Sequence, residues 1–431
     1  MEMPSVAVGV LARTLGVLSR LAIEKYRPGI VGITGSVGKT SAKLAIAAVL
    51  GSERRVRAAR GNLNNELGLP LAVLGDWSDG ELDLVSRKQP PGTRRAEKLF
   101  FWIKVIVRGV SQVFFFREKE FPEVLVLEYG ADRPGDLKRL LGVASPNIGV
   151  VTAVGEVPAH VEFYENPDEV AREKSRLIEH LPAQGFAILN RDDEVVMNMK
   201  DRTRAHCITF GFERGAEMRI LRFGSYAEGG APGGISFQLE YGGSVIPVKL
   251  RGMLGRSHAY AAAAAASAGV AFGMNLRKIA EALPGYVPPP HRMEIVRGVK
   301  DTWIIDDAYN ASPLSMESAL ESLEDLPARR RIAVLGDMLE LGPYAMETHE
   351  EIGRLAGKIA DVLVTVGPRG KLVAEGARKA RMNRKNILSF DLAEEAAKPV
   401  ENLLKKGDLV LVKASRAIGL EKVVEEIRGL I

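Results

Sequence analysis

The sequence has little cysteine, and its charge is nearly balanced. A single cysteine, Cys207, stands among 431 residues, which excludes a framework of disulfides and fits a reducing cytosol. The net charge of +5 suits anionic substrates or a membrane surface, but it is too small to indicate nucleic-acid binding. The sequence also has no motif that combines aromatic and basic residues for that purpose. We therefore expect a cytoplasmic protein that does not bind nucleic acid.

Long apolar runs are also absent. A membrane-spanning helix needs about 20 successive apolar residues. Residues 4–25 predict an apolar helix, but Arg13 and Arg20 interrupt it, and no signal-peptide cleavage pattern follows. Residues 95–117 predict a second, amphipathic helix. The two helices are candidates for docking on the inner face of the plasma membrane or on a partner protein. Packing of the two helices on each other is an equally good interpretation.

Apolar strand-like runs alternate with helical segments through most of the chain, which predicts parallel sheets covered by helices. Residues 205–253 break this alternation, because they are rich in glycine and serine and predict a small antiparallel β insertion. An alanine-rich helix follows at 259–268, and the proline-rich segment 284–290 predicts a linker between domains. The strand-like runs are Val124–Leu127, Gly149–Thr152, Ala187–Asn190, Trp303–Ile305, Ile332–Leu335, Val362–Val366 and Leu409–Val412.

These features predict an α/β protein with more than one domain, as the length of the chain also suggests. An N-terminal apolar or amphipathic helix occupies residues 1–28. A P-loop ATPase domain with a parallel sheet and the small β insertion occupies residues 29–286. A Rossmann-like α/β domain occupies residues 291–431, and it has no Gly-x-Gly-x-x-Gly fingerprint of its own.

The P-loop assignment depends on the segment that begins at residue 29. An apolar strand runs into a glycine loop and then into a helix, which is the order that phosphate binding requires. Gly35 and Gly38 let backbone N–H groups turn toward phosphate, Lys39 can reach the β- and γ-phosphates, and Thr40 can bind Mg²⁺. The strict spacing would place a glycine where Ile33 stands, so this is a variant loop. The predicted nucleotide-binding residues of the loop are Gly35, Ser36, Gly38, Lys39 and Thr40.

Lys174 is unusual because it occupies an apolar position. Residues 166–181 predict a helix capped by Asn166, and Lys174 falls on its apolar stripe with no acid three or four residues away. A buried ammonium must find an acid elsewhere or lose its proton. A neutral amine can take up carbon dioxide and become a carbamate, whose oxygens suit Mg²⁺. The alternative is a lysine with a buried stem and a head that reaches water.

Two further residues follow strand ends. Glu128 comes directly after the strand that ends at Leu127, in the crevice where parallel sheets bind ligands, so it is a candidate Mg²⁺ ligand. A solvated acid in a turn is the alternative. His160 follows the next strand and precedes Lys174 by fourteen residues. A structural histidine is the alternative reading of this residue.

Taken in order, these motifs and several later ones resemble the Mur ligase family, the ATP-dependent amide ligases of peptidoglycan assembly. The chain is most similar to the branch that adds D-alanyl-D-alanine to a muramoyl tripeptide. The resemblance runs from about residue 29 to the C-terminus. The stretches that carry it are 34–40, 61–70, 128–135, 160–174, 190–193, 292–294, 305–313, 335–342 and 412–416.

The resemblance implies a magnesium-dependent site for ATP. Lys39 and Thr40 would hold phosphates and, with Glu128, a first Mg²⁺. His160 and a carbamylated Lys174 would hold a second Mg²⁺ on the γ-phosphate side. We therefore expect ATP, two Mg²⁺ ions and a carbamylated lysine as cofactors.

The resemblance also implies contributions from the second domain. Arg292 would reach the phosphates, and Asp307 would hold the ribose. The implied reaction has two steps: a muramoyl-peptide carboxylate attacks the γ-phosphate, and the amine of D-alanyl-D-alanine then displaces phosphate from the acyl phosphate. The residues implied to bind substrate are Asn62, Asn64, Asn65, Tyr309 and Asn310.

The main departures of the chain from the family concern the N-terminal domain and the segment 257–261. Members normally carry a complete N-terminal domain for the uridine nucleotide, whereas residues 1–28 predict one helix, so we expect that domain to be missing. The signature His-Asn-x-Tyr-Asn is replaced over residues 257–261, so adenine contacts are not carried over there. The alternatives are a folylpolyglutamate-type ligase with another acceptor or amine, and a membrane-associated homologue without turnover.

Overall fold

A computed structural model describes residues 5–85, 94–115, 121–229 and 231–429. Over these residues the strands are β1 (Gly29–Thr34), β2 (Val56–Ala58), β3 (Val124–Glu128), β4 (Ile148–Val151), β5 (Phe186–Asn190), β6 (His206–Gly211), β7 (Met218–Glu228), β8 (Ala231–Tyr241), β9 (Ser244–Arg251), β10 (Glu294–Gly298), β11 (Thr302–Asp307), β12 (Arg330–Gly336), β13 (Val362–Val366), β14 (Ile387–Phe390) and β15 (Asp408–Lys413).

The helices of the same described ranges are α1 (Ser5–Tyr26), α2 (Lys39–Gly51), α3 (Gly68–Leu74), α4 (Asp79–Val85), α5 (Arg95–Val110), α6 (Asp136–Leu141), α7 (Pro167–Glu179), α8 (Glu194–Met197), α9 (Arg256–Ala271), α10 (Leu276–Ala282), α11 (Pro313–Asp325), α12 (Ala345–Ile359), α13 (Gly370–Lys379), α14 (Ala393–Leu403) and α15 (Glu421–Arg428).

The first sheet has the strand order β2-β3-β1-β4-β5-β6-β7-β8-β9 within the described residues. Its strands are parallel from β2 to β6. Alternate residues of β1 enter different cores: Val31 and Ile33 face the side that α2 and α9 cover, and Ile30 faces the opposite side. Strands buried on both faces read as continuous apolar runs, which is why β1, β3, β4 and β5 were predictable.

The predicted β insertion is only partly antiparallel. Strands β7, β8 and β9 pair antiparallel with one another, as expected. Strand β6, which lies inside the predicted range 205–253, instead pairs parallel with β5. The insertion therefore extends the parallel sheet. The expectation of a wholly antiparallel insertion was wrong because β6 pairs parallel with β5 and, at its end, parallel with β7.

The second sheet has the order β10-β11-β15-β12-β13-β14, again for the part of the chain that the structure describes. Strand β10 is antiparallel to β11, and the other pairs are parallel. Alternate residues of β12 face the helices α11 to α13 on one side and α14 and α15 on the other. The predicted α/β class with two largely parallel sheets is confirmed. In such sheets, ligands bind at the carboxyl ends of the strands. The domain boundaries at 28, 286 and 291 stay predictions.

Helices α1 and α5 pack on each other. Leu15 and Leu18 of α1 share one buried cluster with Phe101 and Val105 of α5. A Cβ atom at Gly109 would lie 3.0 Å from Leu18 Cδ1, so the helices touch closely. In the described residues no helix has the length and apolar character needed to cross a membrane.

The far side of α5 is exposed. Leu99, Phe100 and Val107 are exposed by 62%, 72% and 61%. The π-helical segment Ser111–Phe115 continues α5 and exposes Phe114 and Phe115 by 66% and 73%. The predicted helix 95–117 therefore has one packed face and one open face, and its residues 116 and 117 lie outside the described residues.

Candidate active site between the two sheets

The P-loop connects β1 to α2 and requires glycine at its first position. Gly35 has a φ angle of 145°, and a Cβ atom there would come within 2.2 Å of Thr152 Oγ1 on the neighbouring strand end. Gly38, with φ 85°, is the N-cap residue of α2. Both conformations are ones that residues with a Cβ rarely adopt. The loop thereby brings the start of α2 to the carboxyl edge of the sheet, where anions bind.

Ser36 leaves a polar atom without a protein partner. Its N–H donates to the Ala153 carbonyl at 2.6 Å. Its buried hydroxyl has no hydrogen-bond partner among the described residues. A buried polar atom of this kind needs a partner, and a phosphate oxygen in the loop suits the hydroxyl chemically.

Two lysines converge on one backbone carbonyl in this loop. Lys39 Nζ donates to Gly35 O at 2.6 Å, and Lys174 Nζ donates to the same oxygen at 3.3 Å. Burial lowers the pKa of both amines, and the charge of Lys39 helps to lower that of Lys174 to about 7. Lys174 is 1% exposed, so the interpretation that its head reaches water is wrong.

Helix α7 presents Lys174 as the sequence predicts. Asn166 accepts the Glu169 N–H at 3.0 Å and caps the helix. Leu177 and Ile178 are buried on the same side of the helix, which packs against β1 and β4. The apolar stripe therefore fixes the lysine against the P-loop.

Glu128 is a buried carboxylate at the end of β3, so its interpretation as a solvated turn acid is wrong. Thr40 Oγ1 donates to Glu128 Oε2 at 3.4 Å. Lys43 Nζ lies 2.9 Å from Glu128 Oε1 and also donates to the Gly61 carbonyl at 2.9 Å. Lys43 was not predicted. The signal that could have found it is its position four residues after Lys39, on the same face of α2.

His160 lies between acids from two parts of the chain. Its Nε2 atom is 3.5 Å from Asp132 Oδ1, and its Nδ1 atom is 2.5 Å from Glu340 Oε2. Burial lowers the pKa of Lys39 and of Lys174, and the Asp132 carboxylate opposes this lowering. Asp132 thus connects His160 electrostatically to the lysine pair. Across the described residues, three or more His, Cys, Asp or Glu side chains are nowhere grouped to hold a metal by themselves.

The second domain contributes cations. Arg292 stacks on Tyr309, with its Cζ 4.2 Å from the ring centroid, and its buried Nε atom has no hydrogen-bond partner among the described residues. Burial lowers the pKa of Lys39, and the charge of Arg292 lowers it further. The two cations are therefore close enough to repel each other. Arg416 lies on the same Tyr309 ring at 5.1 Å.

Asp307, the predicted ribose ligand, already has protein partners on both oxygens. The Met293 N–H donates to its Oδ1 at 3.1 Å, and Lys413 Nζ lies 2.5 Å from its Oδ2. Lys413 also donates to the Asn310 carbonyl at 2.9 Å. Lys413 is buried. It was not predicted as a site residue, although it lies in the stretch 412–416 that carries the family resemblance.

A cavity of about 850 Å³ lies between the sheets, within the size range of ligand pockets. P-loop residues and residues of the second domain line it together. Of the predicted site residues, Gly38, Arg292 and Asp307 reach its wall. The lining residues that sequence reasoning did not single out as ligands include Asn190, Asp192, Tyr260, Glu317 and Lys413.

The altered signature at residues 257–261 has a structural use. His258 Nδ1 lies 2.9 Å from Tyr286 Oη, and its Nε2 lies 3.0 Å from the Arg292 carbonyl. Tyr260 donates its hydroxyl to Asp192 at 2.7 Å. His258 therefore joins α9 to the residue that carries the cleft cation.

The predicted asparagines form a turn on the Glu128 side, and none of them lines the cavity. Asn65 Oδ1 accepts the Gly68 N–H at 2.9 Å, and Asn64 Nδ2 donates to Asn62 Oδ1 at 3.2 Å. The Asn64 carbonyl accepts the Gly130 N–H at 2.9 Å, so the turn follows the end of β3. Asn310, which follows β11 in the second domain, is exposed.

A P-loop sheet next to a second α/β domain, with cations from both, suits an enzyme that stabilises the charge of a transferring phosphoryl group, and the family matches make it an ATP-dependent ligase. The chain belongs to the Mur ligase family. The family described as the Mur ligase middle domain matches residues 108–269. The family described as the Mur ligase, glutamate ligase domain, matches residues 291–416.

Relatives with known names span most of the chain. The UDP-N-acetylmuramoyl-tripeptide–D-alanyl-D-alanine ligase of Bacillus subtilis is 29% identical over 427 residues, which cover 98% of this chain and 81% of that protein. The ligase of the same name from Mycobacterium bovis is 32% identical over 460 residues, which cover 98% of this chain and 80% of that protein. The solved MurF ligase of Thermotoga maritima, in complex with ADP, aligns with a TM-score of 0.76 at 26% identity and covers 97% of this chain and 83% of that one.

Proposed function

We propose that the protein joins D-alanyl-D-alanine to the carboxylate of a muramoyl peptide in the cytoplasm, with hydrolysis of ATP to ADP and phosphate. The observation that carries the proposal is the pair of buried polar atoms without protein partners, Ser36 Oγ in the P-loop and Arg292 Nε across the cleft. Ser36 belongs to the P-loop, and Arg292 lines the same cavity as Gly38 of that loop. The names of the relatives support the choice of D-alanyl-D-alanine.

The chemistry proceeds in two balanced steps. A carboxylate oxygen of the acceptor attacks the γ-phosphorus, the bond to the β-phosphate oxygen breaks, and ADP leaves. The amine nitrogen then attacks the carbonyl carbon of the acyl phosphate. A C–N bond forms, the C–O bond to phosphate breaks, and the amine loses a proton to solvent. Lys39 and Arg292 stabilise the charge on the transferring phosphoryl group.

Thr40 and Glu128 have the donor chemistry that Mg²⁺ prefers, a hydroxyl and a carboxylate whose oxygens are 3.4 Å apart. These two residues would hold the first ion, and His160 with carbamylated Lys174 would hold the second. Bound Mg²⁺ supplies neutralisation of phosphate charge. Lys43 holds Glu128 in place from the opposite side.

The carbamate on Lys174 is supported by its burial and by its lowered pKa of about 7. A large share of the amine is neutral at pH 7, and the nitrogen lone pair can attack carbon dioxide. The N–C bond forms as one proton leaves the nitrogen. The product is an anion beside Lys39, so it removes the repulsion between two ammonium groups that share the Gly35 carbonyl.

A different acceptor or amine within the same chemistry, as in a folylpolyglutamate-type ligase, is the alternative. Purified protein should be tested with ATP and a matrix of acceptors and amines. We expect amide formation with a muramoyl tripeptide and D-alanyl-D-alanine, and no amide when glutamate replaces the dipeptide. Turnover with a pteroate acceptor and glutamate would favour the alternative. A folded protein that binds ATP without forming any amide would favour the homologue without turnover.

We also propose that the protein docks peripherally on the inner face of the plasma membrane. The open face of α5 and its continuation supports this, since Phe100, Phe114 and Phe115 are largely exposed. Arg95 lies one turn before the exposed Leu99 on the same side of the helix. An apolar face with adjacent basic residues suits an anionic lipid surface. The packing between α1 and α5 uses the other face, so docking does not require it to open.

A further inference from the structure

Glu340 belongs to a contact between the second domain and the P-loop domain that does not line the cavity. Glu340, in the loop after β12, has its Oε2 atom 2.5 Å from His160 Nδ1. The Glu162 N–H donates to the Glu340 carbonyl at 3.3 Å. A Cβ atom at Gly342 would lie 3.3 Å from Glu162 Cα. Backbone and side chain therefore both join these two loops.

Both residues of the pair have left-handed backbone conformations. The φ angle is 69° at His160 and 64° at Glu340. Residues with a Cβ adopt this region at a cost of about 1 kcal/mol, so the surroundings must hold them there. Such conformations concentrate at functional sites.

The loop of Glu340 is fixed from within its own domain. The Met338 N–H donates to His349 Nε2 at 2.9 Å, and the Leu339 N–H donates to Ser415 Oγ at 2.9 Å. His349 and Ser415 are themselves buried. Glu340 is therefore presented by an anchored loop, and its position follows the position of the whole domain.

The other nitrogen of His160 faces the P-loop side. Nε2 is 3.5 Å from Asp132 Oδ1, and Asp132 acts electrostatically on Lys39 and Lys174. The imidazole thus has one nitrogen directed at the second domain and one directed at the phosphate site.

We propose that Glu340 is a positioning residue for His160: its Oε2 atom lies beside Nδ1 across the domain boundary, and when metal binds it accepts a hydrogen bond from Nδ1–H and leaves Nε2 oriented toward the metal. This rests on the proposed metal role of His160. Histidines that bind metals usually donate their other N–H to a carboxylate or carbonyl, and loss of that partner weakens metal binding about 10- to 100-fold. Because Glu340 moves with the second domain, the metal site is complete only when the domains are closed.

The test measures binding of Mn²⁺ to the full chain in the presence of a non-hydrolysable ATP analogue, by calorimetry and by electron paramagnetic resonance, without turnover. Glu340→Ala should weaken Mn²⁺ binding about tenfold or more. Glu340→Gln should weaken it less, since the amide oxygen still accepts the Nδ1–H. The matched control is Glu162→Gln, because Glu162 lies in the same contact but takes part through its backbone. Melting temperatures show whether each variant is folded. If Glu340→Ala does not fold, the Mn²⁺ affinity of Glu340→Gln is used to test the positioning role.

A double-mutant cycle separates this inference from its premise. In a His160→Ala background, Glu340→Ala should have no further effect on Mn²⁺ affinity. If Glu340→Ala weakens binding equally in both backgrounds, or leaves it within about twofold of the wild type, the positioning role is overturned while the metal role of His160 stands. If His160→Ala itself leaves Mn²⁺ affinity unchanged, the premise fails and the inference is overturned with it.

Discussion

At the scale of single residues, the site depends on two lysines that share one carbonyl oxygen. Lys39 is the P-loop cation, and Lys174 is buried beside it with a lowered pKa of about 7. Two ammonium groups in this position repel each other, whereas a cation beside a carbamate attracts it. We therefore propose that Lys39 binds phosphate as a cation and that Lys174 carries the carbamate.

Lys174→Ala should reduce amide formation by at least about 100-fold, the size of effect seen when one electrostatic contact to the reacting group is removed. Short-chain carboxylates should restore part of the activity, because their oxygens replace those of the carbamate. Lys174→Arg should be as inactive as the alanine variant, since arginine forms no carbamate. Lys371→Arg, at an exposed lysine, is the control. A fully active Lys174→Arg enzyme would exclude the carbamate.

Lys39→Ala should abolish ATP turnover while the protein stays folded, because the substitution removes the positive charge that stabilises the β- and γ-phosphates. Phosphate release and the melting temperature should be measured on the same preparation. Phosphate release at the wild-type rate by the folded variant would contradict the assignment of the nucleotide site.

His258 gives the stability of the protein a dependence on pH. Burial lowers its pKa from 6.5 to about 4. Between these values the unfolded chain binds a proton at His258 that the folded chain does not, so stability falls as the pH falls from 6.5 toward 4. The full effect is roughly 3 kcal/mol at pH below 4. Chemical denaturation of the wild type and of His258→Gln should show a flatter pH profile in the variant. His206→Gln, at an exposed histidine, is the control. If the free energy of unfolding depends equally on pH in the wild type and in His258→Gln, the role given to His258 is wrong.

At the scale of elements, α5 is the part of the molecule with two apolar faces. One face packs on α1, and the other is exposed. Full-length protein should sediment with anionic vesicles at low salt, and the double variant Phe100→Glu, Val107→Glu should lose at least about tenfold in vesicle affinity. Val245→Glu, at an exposed apolar residue of β9, is the control. No sedimentation of the full-length protein, together with unfolding of the ATPase domain on removal of residues 1–25, would leave α1 and α5 with a structural role alone.

Helices and strands were predictable where the local pattern of apolar residues determines the structure. The P-loop, the helix of Lys174 and the buried strands each follow from residues within a short window. The partners of the site residues were not predictable in this way. Glu128 meets Lys43 from 85 positions away, Asp307 meets Lys413, and His160 meets Glu340. Each of these contacts forms because parallel strands and the second domain bring distant positions to one edge, and no local pattern records that.

At the scale of the whole molecule, the two α/β units work as one site. Arg292 lines one cavity with Gly38 of the P-loop, His258 contacts the Arg292 carbonyl, and Glu340 contacts His160. Contacts at these three points would help to keep water away from the proposed acyl phosphate. The account therefore requires ATP cleavage to be coupled to the formation of an amide bond.

The most direct measurement follows oxygen atoms through the reaction. A muramoyl tripeptide labelled with oxygen-18 in its reacting carboxylate should be incubated with the protein, ATP, Mg²⁺ and D-alanyl-D-alanine, and the phosphate and peptide analysed by mass spectrometry. The account predicts that each amide formed is accompanied by one ADP and one phosphate that carries one labelled oxygen. Phosphate without label, or ADP released without amide, would contradict the acyl-phosphate ligase.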